Sequence, residues 1–190
     1  MTKNIMIVGV GGQGTLLASK LLGRVLLEQG LDVKVSEVHG MSQRGGSVVT
    51  YVRCGEKVYS PVIDRGEADI IMSFELLEAA RWVEWLKKDG LIVTNTQQVD
   101  PMPVITGAAA YPADLVGKLK AAGARVDADD FLSIALKAGS AKAVNVALLG
   151  RVSLMFPDIP QDVWEKALEQ TVPSRFLQLN RAAFRMGRGV

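Results

Sequence analysis

The chain has 190 residues, of which 48% are hydrophobic and 22% charged, and a formal net charge of +2. This length fits one domain with a full core, and so small a charge gives no reason to expect nucleic acid or an anionic membrane surface as a partner. The single cysteine, Cys54, excludes a disulfide within the chain and an iron–sulfur cluster held by its own thiolates.

The first residues form a strand, a glycine turn and a helix. Residues 5–8 are apolar and rich in β-branched side chains, which is typical of a buried parallel strand. Gly9, Gly11 and Gly14 fit the pattern Gly-x-Gly-x-x-Gly, and an amphipathic helical pattern follows at once. Such a turn lets backbone N–H groups approach an anion at a helix start, and Glu37 nearly matches the acidic residue of a Rossmann site. The alternative is that the glycines only let the turn pack tightly.

Two further strands are predicted on either side of a glycine-rich loop, over residues 31–38 and 47–54, because both segments have high β propensity. A tight connection at Gly55 leads into residues 57–63, which we interpret as the hairpin partner of the third strand. The sheet is therefore expected to be mixed rather than purely parallel.

Strand and helix patterns alternate through the rest of the chain until the last third becomes helical. Strands are predicted at residues 68–73, 91–95, 104–109 and 124–128, and helices at 74–88, 115–122, 131–137, 141–156, around 163–168 and from 174 to 184, with a loose tail over 187–190. This order predicts a three-layer α/β/α domain with a mostly parallel, mixed, Rossmann-like sheet over residues 1–140 and a helical C-terminal third over residues 141–190.

The sequence shows no targeting or membrane segment. No apolar stretch approaches the ~20 residues of a membrane span. Because a strand pattern starts directly at the N-terminus, we also expect no signal peptide. We therefore expect a single cytoplasmic domain over residues 1–190, without a nucleic acid or membrane partner.

The inventory of catalytic side chains is small. His39 is the only histidine, which excludes a site with several His ligands and leaves this residue as a weak catalytic candidate, a proton shuttle, or an ordinary loop residue. Because the carboxyl ends of neighbouring strands share one edge of such a sheet, the loop with Glu37, His39 and Arg44 should lie beside the glycine turn. The guanidinium of Arg44, next to Gly45 and Gly46, suits a carboxylate or a phosphate; otherwise it is a solvated loop arginine.

Three segments together resemble a known family. The turn Gly9-Val10-Gly11-Gly12-Gln13-Gly14 and the stretch Glu37-Val38-His39-Gly40-Met41-Ser42-Gln43-Arg44-Gly45-Gly46-Ser47 closely resemble the gamma-type domain of the 2-oxoacid:ferredoxin oxidoreductases, in particular the small (beta) subunit of the indolepyruvate enzyme. Asn145-Val146-Ala147-Leu148-Leu149-Gly150 is similar to the Asn-x-x-x-Leu-Gly segment of that family. The resemblance runs from about residue 4 to residue 150 and less clearly through the C-terminal helices.

This resemblance implies one subunit of an enzyme that oxidatively decarboxylates aryl pyruvates to an aryl-acetyl-CoA, carbon dioxide and reduced ferredoxin. It implies that thiamine diphosphate and 4Fe–4S clusters belong to a large partner subunit, that coenzyme A is used, and that ferredoxin is reached through the complex. The sequence agrees, since it has neither the thiamine diphosphate signature, Gly-Asp-Gly followed by Asn-Asn, nor a set of cysteines. We expect no cofactor on this chain alone, an inactive isolated chain, and self-association into a homodimer without the partner.

The residues that we expect to contact a ligand or a partner come from the same three segments. They are Gly9, Gly11, Gly12, Gln13, Gly14, Glu37, His39, Gln43, Arg44, Gly45, Gly46 and Asn145, and no metal site is expected. Two other functions stay open on the residues alone: a free-standing NAD(P)- or FAD-dependent Rossmann oxidoreductase, and a non-enzymatic α/β interaction scaffold. Whether the turn holds coenzyme A, a phosphate or nothing is also open.

Overall fold

The computed structural model describes residues 2–37 and 44–189, which form one six-stranded sheet with helices on both of its faces. The strands are β1 Lys3–Val10, β2 Asp32–Glu37, β3 Ser47–Gly55, β4 Ala68–Ser73, β5 Leu86–Asn95 and β6 Arg125–Asp129. The α-helices are α1 Thr15–Glu28, α2 Leu76–Arg81, α3 Met102–Ile105, α4 Leu115–Ala121, α5 Phe131–Ala138, α6 Val144–Val152, α7 Gln161–Thr171 and α8 Ser174–Arg188. Short 3₁₀ turns lie at Val83–Trp85, Ala141–Ala143 and Ser153–Met155.

The strand order across the sheet is β2-β3-β1-β4-β5-β6. Strand β3 runs antiparallel to both of its neighbours, whereas β1, β4, β5 and β6 are parallel to one another. The prediction of a mostly parallel, mixed sheet is therefore confirmed.

The prediction that residues 57–63 form the hairpin partner of β3 is wrong. Residues 57–63 contain no strand, and β3 instead pairs along its whole length with β1 and β2. This segment has no regular secondary structure. It is held in place because the N–H of Val58 donates to the Asp32 carboxylate at 2.9 Å and because the side chain of Ile63 is buried. Long-range pairing of β3 with the central strand thus prevails over the local turn signal at Gly55.

The two faces of the sheet support separate cores, because side chains alternate along each strand. Ile5 and Ile7 of β1 face a large core that includes residues of α1, α5, α6, α7 and α8. Met6 and Val8 face a smaller core on the other side, with residues of α2 and α4. This arrangement is the predicted three-layer α/β/α architecture.

The helix predicted over residues 74–88 ends early. Its α-helical part stops at Arg81, and β5 begins at Leu86, which pairs with Ala68 of β4. The start of β5 is irregular, with Asp89 at φ 66°, so Gly90 lies inside a strand rather than at a helix end.

The strand predicted over residues 104–109 is also wrong. Its first residues complete α3, where the N–H of Thr106 donates to the carbonyl of Met102 at 2.9 Å, and turns follow. Pro103 lies in the first turn of α3, where the missing N–H of a proline costs no helix hydrogen bond, so the residues before this run favour a helix start.

The C-terminal residues 187 and 188 belong to α8, so the predicted tail begins later. A Cβ atom at Gly187 would overlap the backbone of Ala147, and one at Gly150 would overlap the backbone of Phe184. These two glycines therefore let α6 and α8 cross in direct backbone contact. None of the helices formed by the described residues has the length and apolar character needed to cross a lipid bilayer.

Candidate functional site

The glycine turn after β1 meets the loop before β3 at the carboxyl edge of the sheet. The N–H of Gly11 donates to the carbonyl of Gly46 at 2.8 Å, and Val10 pairs with Ser47 at the end of the β1–β3 ladder. The predicted proximity of these two loops is confirmed for Gly46 and Ser47. His39 and Gln43, which the sequence also placed in this site, lie outside the described residues.

Several N–H groups of the turn are already used within the protein. The N–H of Val10 donates to the Gln13 side-chain oxygen at 2.8 Å, and the N–H of Gln13 donates to the carbonyl of Val10 at 3.2 Å. Together with the Gly11–Gly46 bond, these contacts occupy donors that a dinucleotide site would offer to a pyrophosphate. Gly12, at φ 99°, is exposed, and a Cβ atom there would meet nothing within 4 Å.

Two of the motif glycines are required by close packing. A Cβ atom on Gly9 would lie 3.0 Å from the Cβ of Phe74, and one on Gly14 would lie 2.5 Å from Nδ2 of Asn145. The amide of Asn145 donates to the Gly14 carbonyl at 3.3 Å, and this residue is only 4% exposed. The interpretation of the glycines as tight-packing residues thus holds at both positions, and Asn145 supports the turn from α6.

A cleft of about 220 Å³ opens beside the turn. It is lined by Gly11, Gly12, Gly14, Thr15, Leu16, Val48, Val49 and Thr50. Ligand pockets for small molecules usually measure roughly 300–1,000 Å³, so this chain alone would leave a dinucleotide or coenzyme A largely exposed.

The crevice between β1 and β4, where the strand order reverses and such sheets bind ligands, is filled by protein. Phe74 is fully buried there, and its N–H donates to the carbonyl of Val8 at 3.0 Å. Beside it, the carboxylate of Glu75 is 1% exposed and accepts from Tyr111 Oη and from the N–H of Glu78. Burial and the Glu75 carboxylate raise the pKa of Tyr111, which keeps its hydroxyl as a donor. The accessible part of this edge therefore lies on the β3 side of the turn.

The charged side chains on that side differ in exposure. Glu37 is partly buried and accepts a hydrogen bond from Ser19 Oγ at 2.8 Å, so its carboxylate is held against α1. Arg44 and Gly45 are exposed, with Gly45 at φ 91°. Arg44 is therefore accessible to a partner or a ligand at this edge of the sheet.

A buried carboxylate that the sequence does not predict lies at the same edge. Glu78 of α2 is 4% exposed, accepts a hydrogen bond from Ser47 Oγ, and lies 3.2 Å from Nε of Arg81. Burial raises its pKa, while the contacts with Ser47 and Arg81 act in the opposite direction. The spacing Glu75-x-x-Glu78 at a helix start does suggest capping, but no local signal indicates the contact with Ser47.

The remaining metal-binding and nucleophilic groups of the described residues do not come together as a site. Within residues 2–37 and 44–189, no three His, Cys, Asp or Glu side chains group together in a way that could hold a metal ion. The Cys54 thiol is buried in the larger core, where burial raises its pKa, so it behaves as a small apolar residue.

The profile of a protein family described as pyruvate ferredoxin/flavodoxin oxidoreductase matches residues 4–190. Among individual proteins, the indolepyruvate oxidoreductase subunit IorB of Thermococcus kodakarensis is 42% identical over 97% of this chain and 93% of its own length. The protein of the same name from Archaeoglobus fulgidus is 39% identical over 98% and 94%. The common gamma subunit of the pyruvate/ketoisovalerate oxidoreductases of Pyrococcus abyssi is 25% identical over 93% and 90%.

Solved structures share the fold at lower identity. The pyruvate oxidoreductase subunit PORC of Thermotoga maritima superposes with a TM-score of 0.73 and 22% identity, over 99% of this chain and 96% of that one. The 2-oxoglutarate:ferredoxin oxidoreductase of Magnetococcus marinus superposes with a TM-score of 0.75 and 19% identity, over 99% of this chain but 30% of that much longer one.

Proposed function

The chain belongs to the pyruvate ferredoxin/flavodoxin oxidoreductase family, and we propose that it is the small subunit of a complex that oxidatively decarboxylates indolepyruvate or related aryl pyruvates. The observation that carries this proposal is the 39–42% identity, over nearly the whole chain, to proteins named as indolepyruvate oxidoreductase subunits. In the proposed reaction the bond to the carboxyl carbon breaks and carbon dioxide leaves. The acyl group forms a thioester with the sulfur of coenzyme A, whose thiol proton is released, and the two electrons of the broken bond pass one at a time to oxidised ferredoxin.

We assign the cofactor chemistry of this complex to a large partner subunit. A 4Fe–4S cluster needs several thiolate ligands, and this chain has only Cys54, whose side chain is buried in the core. In the glycine turn, the N–H groups of Val10, Gly11 and Gln13 already donate within the protein, which leaves few donors for the diphosphate of thiamine diphosphate. The residues present therefore do not fit either group. We place the complex in the cytoplasm, as expected from the sequence.

The part that we assign to this chain is the accessible carboxyl edge around Gly11, Gly12 and the loop from Arg44 to Gly46. An exposed guanidinium offers a planar set of donors to a carboxylate or a phosphate. Arg44 would thus contact the large subunit, or an anionic group of coenzyme A or the oxoacid. The exposed Gly12 and Gly45 leave room for that partner to approach.

The two other functions considered from the sequence receive less support. A free-standing NAD(P)- or FAD-dependent enzyme needs an accessible turn and a ribose-binding carboxylate, whereas here Phe74 fills the switch-point crevice and Glu37 already accepts from Ser19. A non-enzymatic scaffold is not favoured either, because the relatives are named as subunits of oxidoreductases.

Purification of the tagged chain from its own organism, under anaerobic conditions, tests this proposal. We expect one large polypeptide to copurify in a fixed ratio, with thiamine diphosphate and iron bound to it. The tag expressed alone is the control. A chain that purifies by itself, or with a nicotinamide-dependent enzyme, would contradict the proposal.

A further inference from the structure

We infer that Glu78 is a positioning residue for this edge: its carboxylate holds Ser47 and, through Ser47, fixes the Arg44–Gly46 segment against the glycine turn. The structural part of this inference concerns the chain alone. Its consequence for catalysis rests on the proposed function, in which Arg44 faces a partner or a ligand.

The segment is attached at adjacent residues to two different elements. The carbonyl of Gly46 accepts from the N–H of Gly11, which ties it to the glycine turn after β1, and the hydroxyl of Ser47 donates to Glu78, which ties it to α2. Arg44 is three residues before Ser47, so at most about 10 Å of chain separates it from this attachment. Loss of either bond would therefore widen the range of positions that the guanidinium can take.

The direction of the Glu78 side chain is not explained by helix capping. Glu75 is the N-cap residue of α2, and its carboxylate accepts from the N–H of Glu78 at 2.8 Å. In a capping box the carboxylate three residues into the helix returns to the N-cap N–H. Here that N–H faces Ser73 Oγ at 3.5 Å, and the Glu78 carboxylate extends instead to Ser47, 31 residues earlier in the chain.

The charge of Glu78 is costly where it stands. The side chain is 6% exposed, and its neighbour Ala79 belongs to the smaller core. Burial of a carboxylate is unfavourable unless it is paired and hydrogen-bonded. The charged and polar groups that face it are Ser47, Arg81, which attracts it, Glu75, which repels it, and the indole of Trp82. The hydrogen bond from Ser47 offsets part of this cost, so the carboxylate and the hydroxyl hold each other in place.

Hydrogen exchange of the full-length isolated chain tests this inference without any partner. Glu78→Gln keeps the shape but loses the charge, Ser47→Ala loses the hydroxyl, and Ser47→Thr keeps a hydroxyl. Loss of a hydrogen bond to a charged group lowers the population of the closed state roughly tenfold to a hundredfold, so the Gly11 amide should exchange faster by about that factor in Ser47→Ala. The increase should be smaller in Glu78→Gln, because the amide oxygen of Gln can still accept from Ser47 but carries no charge. Ser47→Thr should stay within about twofold of the parent, as should the control Glu84→Gln, at an exposed glutamate that pairs with Arg65 near the other edge of the sheet.

Three outcomes are distinguishable. Faster exchange confined to Gly11 and its neighbours in Glu78→Gln and Ser47→Ala supports the inference. Unchanged exchange at Gly11 overturns it, and a uniform increase across β1, β4 and β5 also overturns it, because Glu78 would then serve overall stability. In the reconstituted complex the same two variants should raise the KM for coenzyme A or weaken assembly, with kcat nearly unchanged. Failure of the unmodified complex to form would reject the proposed function and leave the exchange result intact.

Discussion

The side-chain amide of Asn145 donates to the carbonyl of Gly14 at 3.3 Å, across 131 positions of sequence. This bond joins the first residues of α6 to the last residue of the glycine turn. The bond gives a physical reason why two of the three segments that carry the family resemblance occur together. Residues 9–14 form the turn, and Asn145, in the segment 145–150, holds the last residue of that turn in place.

Replacement of Asn145 by Ala should therefore lower the free energy of unfolding by about 1–3 kcal/mol, the usual effect of leaving a buried hydrogen-bonding group without its partner. Urea denaturation measures this change. Asn180→Ala is a matched control, because Asn180 is 8% exposed and its amide donates within α8, to the carbonyl of Phe176 at 2.9 Å. Both variants should lose stability, but only Asn145→Ala should reduce the activity of the reconstituted complex. Equal activity in the two variants would contradict the supporting role.

Replacement of glycine by alanine should have opposite effects on stability at two helix positions: Gly187, where α8 crosses α6, and Gly23 of α1. Gly187→Ala places a methyl group on the backbone of Ala147 and should cost at least the roughly 1–3 kcal/mol of an overpacked core. In Gly23→Ala the new Cβ would lie 3.9 Å from Val35 Cγ2, an ordinary contact. Because Ala has a higher helix propensity than Gly by roughly 1 kcal/mol, this variant should be neutral or more stable. Thermal denaturation decides, and a stabilised Gly187→Ala would show that the helices do not touch there.

The sequence predicts an element correctly where contacts between neighbouring residues determine its structure, and it fails where contacts between distant residues do. The strand–turn–helix around Gly9 to Gly14 was predictable, since an apolar run, glycines and a helical period follow one another directly. The helix over residues 74–88 was extended too far because its apolar period continues through Leu86, whereas pairing with Ala68 across the sheet makes that residue a strand. That pairing has no signature near Leu86.

The candidate site shows the same division. The meeting of the glycine turn with the Arg44 loop was predictable from the rule that strand ends share an edge, and the Gly11–Gly46 bond agrees with it. The contact of Glu78 with Ser47 depends on where α2 lies over the sheet, so no pattern in either segment indicates it. The tail predicted at Gly187 failed for a related reason, since a glycine near a chain end resembles a stop signal until α6 is seen against it.

Burial of Glu78 predicts a pH dependence of stability. Because its pKa is raised in the folded chain, folding takes up a proton in the range between the ordinary glutamate value, about 4.3, and the raised value. Ionisation of Glu78 costs more free energy in the folded chain than in the unfolded chain. The free energy of unfolding of the parent, relative to that of Glu78→Gln, should therefore fall as the pH rises through this range.

Glu165 provides a control of opposite sign. Hydrogen bonds from Gln161 and Arg185 lower its pKa, so the stability that it contributes is present above its unfolded pKa and is lost as the pH falls through the folded value. Urea midpoints of the parent, Glu78→Gln and Glu165→Gln between pH 3 and 8, which spans roughly both ranges, should diverge in opposite directions. Parallel curves for the two variants would contradict the assigned shifts.

Arg44 is the residue whose replacement should separate function from folding. Arg44→Ala should change stability by no more than about 0.5 kcal/mol, since the residue is exposed. A lost charge-assisted contact should lower the activity of the reconstituted complex about tenfold to a hundredfold, and Arg44→Lys should recover little if the contact is bidentate. Arg65 is an exposed arginine just before the first residue of β4, at the other edge of the sheet from Arg44. Arg65→Ala should therefore leave activity unchanged. Equal activity in the Arg44 and Arg65 variants would show that Arg44 is only a solvated loop residue.

The central claim is that this chain completes an active site that a larger subunit carries. The most direct measurement is the reduction of a viologen dye with indolepyruvate and coenzyme A, made with the purified chain, with the large subunit, and with both. We predict no reduction by the chain alone and full activity only when both are combined. Dye reduction by this chain in the absence of any other polypeptide would contradict the account.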